Sequence, residues 1–348
     1  MSGRSGIGLV GSVIVDTVYE VLEPGNLVYS DGALYLDGDD YESESIEYGT
    51  GGMALNNAVN LAKMGADYPI RVVGRIGSDD NGGRIRDILR ANGLPDGFLI
   101  ETEEQPTSTT HVIHVRDSSG KVNRAFRHYF GAMGSFGPDD IDYDALADLS
   151  IVMIGYCLLM PLFDREESEY GALVGCALSR LKGAGVLTCM DFVTPKRGKW
   201  WKFKRFRKSL PLVDILTIGE DQAEGITGIS DEPAAAKALV EEYGAGTAVV
   251  HCGDRGVNYL YSSRTGLVSQ PIFDVPPEEY AGNAGAGDAF ASGLLHGMHR
   301  GWDEARCLRY ATAAAAVSLG SLTTTDAMRD EAYILNYMET RPLAGTGR

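Results

Sequence analysis

The apolar positions change period along the chain, and the changes divide it into two kinds of segment. Residues 7–15 (IGLVGSVIV) are almost continuously apolar, the pattern of a first strand buried on both faces and ending at Asp16. From Thr17 to Thr50 apolar residues alternate with acidic and polar ones (LVYSDGALYLDGDDYESESIEYG), which predicts strands with one wet face. GGMALNNAVNLAKMG then places Ala54, Leu55, Ala58, Leu61 and Ala62 at helical spacing and stops at Gly65. A strand over Ile70 to Ile76 and a helix ending at Gly93 follow. Alternation returns from Thr107 to Tyr129 around the turn DSSGK, predicting a hairpin of the same half-wet sheet.

After Gly131 short apolar runs and helical patterns alternate regularly. Strands are expected at Ile151 to Ile154, Val186 to Met190, Val213 to Ile218 and Ala248 to His251, with late helices from Gly287 and Asp303. That order is the signature of a parallel sheet covered by helices on both faces. The predicted fold is therefore α/β: a Rossmann-like α/β/α sandwich with a mostly parallel central sheet and a small β-sheet lid. The core is expected over 1–16, 48–103 and 131–341, the lid over 17–47 and 104–130, and a loose tail over 342–348.

Composition narrows the function classes. A net charge of −17 argues against non-specific nucleic-acid binding by the whole molecule. Five scattered cysteines without a CxxC predict neither a disulfide framework nor a zinc site, and fit a reducing cytoplasm. The start MSGRSGIGLVG lacks the length of a signal-peptide core. The longest apolar run, near Ile151 to Phe163, is shorter than the ~20 residues of a membrane span. A soluble, cytoplasmic protein without a membrane partner is the expectation.

GNAGAGDAFASG, Gly282 to Gly293, carries the most specific chemistry. A glycine-rich turn running into a small-residue helix exposes free amides to an anion. Gly282 and Gly287 have the spacing of a nucleotide loop, with Asp288 where that loop has lysine. The amides of Gly285, Ala286 and Gly287 suit the charge on a transferring phosphoryl group, and the Asp288 carboxylate suits the proton of an attacking hydroxyl. A plain helix cap would use the same residues without chemistry. Gly51 and Gly52 also open a helix, and Asp16 closes a strand, at ends where open α/β sheets collect ligands. A turn residue and a tight connection are the alternatives there.

Two long stretches, GGMALNNAVNLAKMGADYPIRVVGRIGSDDNGGRI and GNAGAGDAFASGLLHG, resemble the two signatures of the ribokinase-like family of sugar and nucleoside kinases, from about Gly6 to Arg341. The resemblance implies ATP with Mg²⁺, room for a monovalent cation, and phosphorylation of a hydroxymethyl group. It assigns Asp288 as general base, Gly285 to Gly287 as anion hole, and Asp16, Gly51, Gly52 and Asn56 as acceptor contacts. It also implies nucleotide contacts at Gly219, His251, Gly253, Gly256, Asn283 and Thr312. Departures fall on the nucleotide side. The family's Asn-x-x-Glu reads Gly219-Glu220-Asp221-Gln222, so Glu220, Asp221 and Gln222 are candidates for a metal only through water. His251 replaces a threonine, and Gly282-Asn283 replaces Asp-Thr.

Other features have competing readings. KRGKWWKFKRFRK, Lys196 to Lys208, holds eight cations, no acid and four aromatics, which suits a nucleic acid or an anionic surface. In the family it is a surface helix; attraction of phosphate by Lys196 or Arg197 is the other reading. GIGLVG, Gly6 to Gly11, fits GxGxxG but lies within a strand. DGDDYESESIE lacks the glycine of a calcium loop. His111 and His114, three apart on a strand, face opposite ways and cannot share a metal. Arg127 and His128 end a lid strand, where they could read sugar hydroxyls or a carboxylate, or lie on the lid surface.

The expectation is an ATP-dependent kinase of a small-molecule sugar, with no nucleic-acid partner and a homodimer formed through the lid. A nucleoside kinase on the same scaffold and a catalytically silent sugar-binding or regulatory protein are the alternatives.

Overall fold

A computed structural model describes residues 3–22, 27–30, 33–36, 46–116, 122–194, 200–253 and 256–344. Its main sheet has eight strands. In spatial order they are Gly266–Pro271, Val257–Ser262, Thr247–His251, Ile215–Gly219, Leu187–Phe192, Ile151–Cys157, Ile7–Gly11 and Ile70–Val73. The six from Thr247–His251 onward are parallel, and the hairpin Val257–Ser262 with Gly266–Pro271 adds an antiparallel edge. Strand Ile7–Gly11 is buried throughout, as its unbroken apolar run requires of a strand covered on both faces.

Among the described residues there are eight α-helices: α1 Met53–Lys63, α2 Asp80–Ala91, α3 Val174–Gly183, α4 Glu220–Thr227, α5 Glu232–Glu241, α6 Ala286–His299, α7 Glu304–Ser318 and α8 Glu331–Thr340. Side-chain caps start several of them. Asp79, Asp231, Asp303 and Asp330 each accept an amide of the following first turn. The edge hairpin and α8 lie beyond the elements expected from sequence. Residues 257–262 alternate buried with half-buried positions, an edge pattern rather than the continuous apolar run of the inner strands.

The lid is a four-stranded sheet of Val122–Tyr129, Thr109–Arg116, Ile14–Leu22 and Ile46–Gly51. Its entry corrects the single strand expected over 7–15. The apolar run holds two strands, Ile7–Gly11 in the main sheet and Ile14–Leu22 in the lid, broken at Ser12 and Val13. Asp16 is therefore the third residue of a lid strand, paired with Gly49 and Thr110, and does not end a core strand. Of the alternating stretch from Thr17 to Thr50, Leu27–Ser30 and Ala33–Leu36 pair as a separate hairpin, and residues 23–26, 31–32 and 37–45 lie outside the described residues; a continuous apolar run carries no mark of a change of sheet.

The chain leaves Ile7–Gly11 toward one edge, to Ile70–Val73, and returns to its other side at Ile151–Cys157. This reversal opens a crevice at the carboxyl ends of the strands, where open α/β sheets bind ligands. Among the described residues no helix is long and apolar enough to cross a membrane, and all five cysteines are free thiols.

Candidate active site

α6 starts from Gly285, whose φ of +76° is left-handed and whose added Cβ would lie 2.4 Å from the Thr324 carbonyl oxygen. Both facts require glycine there. The Ala289 amide closes the first turn onto the Gly285 oxygen at 2.8 Å, so the Gly287 and Asp288 amides before it have no partner within the helix, while the Ala286 amide reaches the Asn283 oxygen at 3.4 Å. Asp288 is the third residue of this turn and is buried.

Three side chains donate to the Asp288 carboxylate. The Tyr156 hydroxyl lies 2.5 Å from both oxygens, Asn56 Nδ2 is 2.8 Å from Oδ2, and Asn57 Nδ2 is 3.3 Å from Oδ1. Burial pushes the Asp288 pKa up to about 6, against the pull of these hydrogen bonds. The donors are themselves held. Thr324 Oγ1 sits 3.0 Å from Asn56 Oδ1, and Ser292 donates to Asn57 Oδ1 at 2.9 Å, which turns both amide nitrogens toward Asp288. Ser12 fixes the start of α1 by accepting the Met53 amide at 2.9 Å on its hydroxyl.

Two cavities meet at this helix end. One, of about 520 Å³, lies between core and lid and is lined by Asp16, Asn56, Tyr156, Asp191 and Asp288 and by lid residues including Val112 and His128. The other, of about 570 Å³, has an apolar wall of Phe273, Val275, Phe290 and Leu319 that suits a flat aromatic base. They share His251, Asn283, Ala286 and Gly287. The His251 ring packs 5.5 Å from Phe290, and burial pushes its pKa down to about 4, so it is a neutral imidazole.

Ala286 and Gly287 stand at the junction, and Gly285 and Asp288 line the lid cavity beside it. Asp16, Gly52, Asn56 and His128 line the lid cavity. Gly51 does not line it. A Cβ there would fall 2.1 Å from Asp16 Oδ1, so this glycine is the seat of the Asp16 carboxyl. Arg127 also does not line it, because neighbours on a strand face opposite ways. On the second cavity lie His251, Gly253, Asn283 and Thr312, whereas Gly219 and Gly256 do not reach it. The Thr312 hydroxyl is already engaged, accepting from Asn258 at 3.0 Å and donating to the Leu308 oxygen at 2.8 Å.

Glu220 and Asp221 line neither cavity. Gln222 borders the lid cavity, but its amide caps α4: Oε1 accepts the Gly219 amide at 2.9 Å and Nε2 donates to the Phe192 oxygen and Thr194 Oγ1, each at 3.2 Å. Among the described residues no group of three or more His, Cys, Asp or Glu could hold a metal ion. The acidic stretch considered for calcium lies largely outside the described residues.

Tyr156, Asn57, Asp191 and Thr324 are site residues that the sequence reading missed. Tyr156 and Asp191 sit near the carboxyl ends of two strands the reading had placed, and the strand-end rule applied there would have flagged both. The basic run resolves differently. Trp200–Lys208 is a 3₁₀ helix with Phe203 and Phe206 fully buried. Arg205 donates to the Asp164 oxygen at 2.6 Å and Lys208 to the Ser168 oxygen at 3.0 Å. Lys196 and Arg197 lie outside the described residues.

Residues 25–331 match the model of the pfkB family carbohydrate kinases. A 5-dehydro-2-deoxygluconokinase of Geobacillus kaustophilus is 24% identical over 301 residues, 83% of this chain and 84% of its own. A cytidine kinase of Thermococcus kodakarensis is 35% identical over 133 residues, 38% of this chain and 46% of its own. Among solved structures, Arabidopsis thaliana ribokinase complexed with ribose and ATP superposes with a TM-score of 0.75 at 22% identity, covering 97% of this chain and 99% of that one. The family match spans most of the sequence and both glycine motifs, and on that ground the chain belongs to the pfkB family of carbohydrate kinases.

Proposed function

We propose that the protein transfers the terminal phosphoryl group of ATP to a hydroxymethyl group of a sugar or sugar derivative, with Asp288 as general base. The observation that carries this reading is the position of Asp288, which touches the lid cavity while the first amides of α6 border both cavities. An acceptor held by Asp16, Asn56 and the backbone at Gly52 would present its hydroxyl to Asp288 in place of one bond from Tyr156. The proton passes to the carboxylate as the acceptor oxygen bonds to phosphorus and the bond to the leaving ADP breaks. The Gly285 to Asp288 amides face the charge that spreads over the transferring group.

A flat adenine fits the apolar wall formed by Phe273, Val275 and Phe290. Mg²⁺, when bound to the triphosphate, neutralises phosphate charge, and a hard cation takes phosphate and water oxygens readily. Closure of the lid over the acceptor would keep water from the phosphoryl group. Ile46, Tyr48 and Tyr129 are about half exposed on lid strands, which supports a homodimer through the lid. Sedimentation of Tyr48→Glu beside the parent tests that part, with a shift toward monomer expected.

The test of function is nucleotide turnover with Mg²⁺ over sugars, sugar acids and nucleosides, run beside Asp288→Asn. Acceptor-dependent turnover should fall roughly 10²- to 10⁴-fold in the variant, the usual worth of a general base, with no loss of thermal stability. Turnover retained in the variant removes Asp288 from the role.

A further inference from the structure

We infer that the acceptor carries no negative charge: it is a neutral polyol, a free sugar or a nucleoside, in preference to a sugar acid. The inference rests on the kinase reading and narrows its substrate class. It comes from which side chains the lid cavity presents and which it lacks. Three carboxyl groups, from Asp16, Asp191 and Asp288, line it, and among its described lining residues there is no lysine or arginine. Its basic groups are two imidazoles. Burial holds His251 neutral, and His128 Nδ1 lies 2.9 Å from Thr110 Oγ1.

The opposite wall offers an anion nothing better. Ile14, Val18, Val112 and Phe126 bring hydrocarbon and an aromatic ring to the cavity. Among the described lining residues the amide end of α6 does attract anions, and it is the place the phosphoryl group needs. An acceptor with its own carboxylate would therefore bury that charge among hydrocarbon, carboxyl groups and neutral hydroxyls and amides, with no lysine or arginine among the described lining residues to balance it. A buried ion without a counter-charge is strongly disfavoured. Asp16 and Asp191 resist ionisation in this setting, chiefly through burial and then through the neighbouring Asp288, and the same burial disfavours any further negative charge that lacks a counter-charge. Neutral hydroxyls meet the opposite situation. Each carboxyl oxygen can accept them, and a protonated carboxyl can also donate.

The test compares matched pairs, ribose with ribonate and glucose with gluconate, together with inosine as a neutral nucleoside. Turnover of the full chain with ATP and Mg²⁺ is measured at one pH. A neutral member should exceed its acid in kcat/KM by about a hundredfold or more, the scale of leaving one buried charge unpaired. Whether ribose or inosine is preferred tells the free sugar from the nucleoside. His128→Arg, which adds a cation to the cavity, should narrow the gap by roughly tenfold. An acid turned over within tenfold of its neutral partner overturns the inference while leaving the kinase reading intact, and a gap unmoved by His128→Arg overturns its electrostatic basis. Absence of turnover with every acceptor overturns the kinase reading instead. Calorimetric binding of the same pairs then decides the charge question: preferential binding of the neutral member supports the inference, and equal binding or none overturns it.

Discussion

At the scale of residues, the site is a buried carboxylate whose basicity is set by opposing effects. Burial raises the Asp288 pKa to about 6, and the donors Tyr156, Asn56 and Asn57 restrain that rise. A base must be ionised, so kcat/KM should climb with pH through about 6. Tyr156→Phe removes one restraining donor, and its acidic limb should move to higher pH, with the largest activity loss below that midpoint; an unmoved limb would reduce Tyr156 to packing. The carboxyl cluster also costs stability. Burial raises Asp16 to about 8 and Asp191 well above the usual range, whereas an unfolded aspartate ionises near ~3.9. As pH rises above ~4 the unfolded chain releases protons that the folded chain keeps, so stability falls through the folded values. Asp191→Asn should therefore raise Tm, and by more at pH 8 than at pH 5; a lower Tm at both would contradict this account. Asp288 stood out because it follows a local glycine motif, and Asn56 was named through the family resemblance of the stretch that holds it. Tyr156 was not, because its partner lies 132 residues away and only the fold joins them.

At the scale of elements, most helices and inner strands follow from period alone. α1 stops beside Gly65 and the four inner strands fall near their expected positions, because core-facing elements must repeat their apolar residues at 3.6 or run apolar throughout. Beside the edge hairpin and α8, two segments differ from the reading for physical reasons. The run from Ile7 to Val15 serves two sheets, and the basic segment hides an apolar face among cations. Phe206, fully buried and 5.0 Å from the Phe192 ring, marks that face as core. Phe206→Ala should cost about 3–5 kcal/mol in denaturant unfolding, as large aromatic truncations do. A cost below ~1 kcal/mol would return the segment to the surface. The turn before α6 gives a second check. Gly285→Ala forces a side chain into left-handed backbone and against the Thr324 carbonyl, and should lower both Tm and turnover.

At the scale of the whole molecule, a switch in strand order opens a crevice, a second sheet covers it, and one helix end joins the two cavities inside. The α/β class and the half-wet sheet were readable from hydrophobic period. The charge character of the acceptor cavity was not, because it depends on Asp16 from the lid and Asp191 from a core strand facing one volume. The most direct test of the central claim is ³¹P NMR of the reaction with ATP and Mg²⁺, using an acceptor found by the turnover screen. The account predicts a new phosphomonoester resonance, split into a triplet by a neighbouring CH₂, that is lost in Asp288→Asn. Release of inorganic phosphate without an ester, or an undiminished ester signal in the variant, would contradict it.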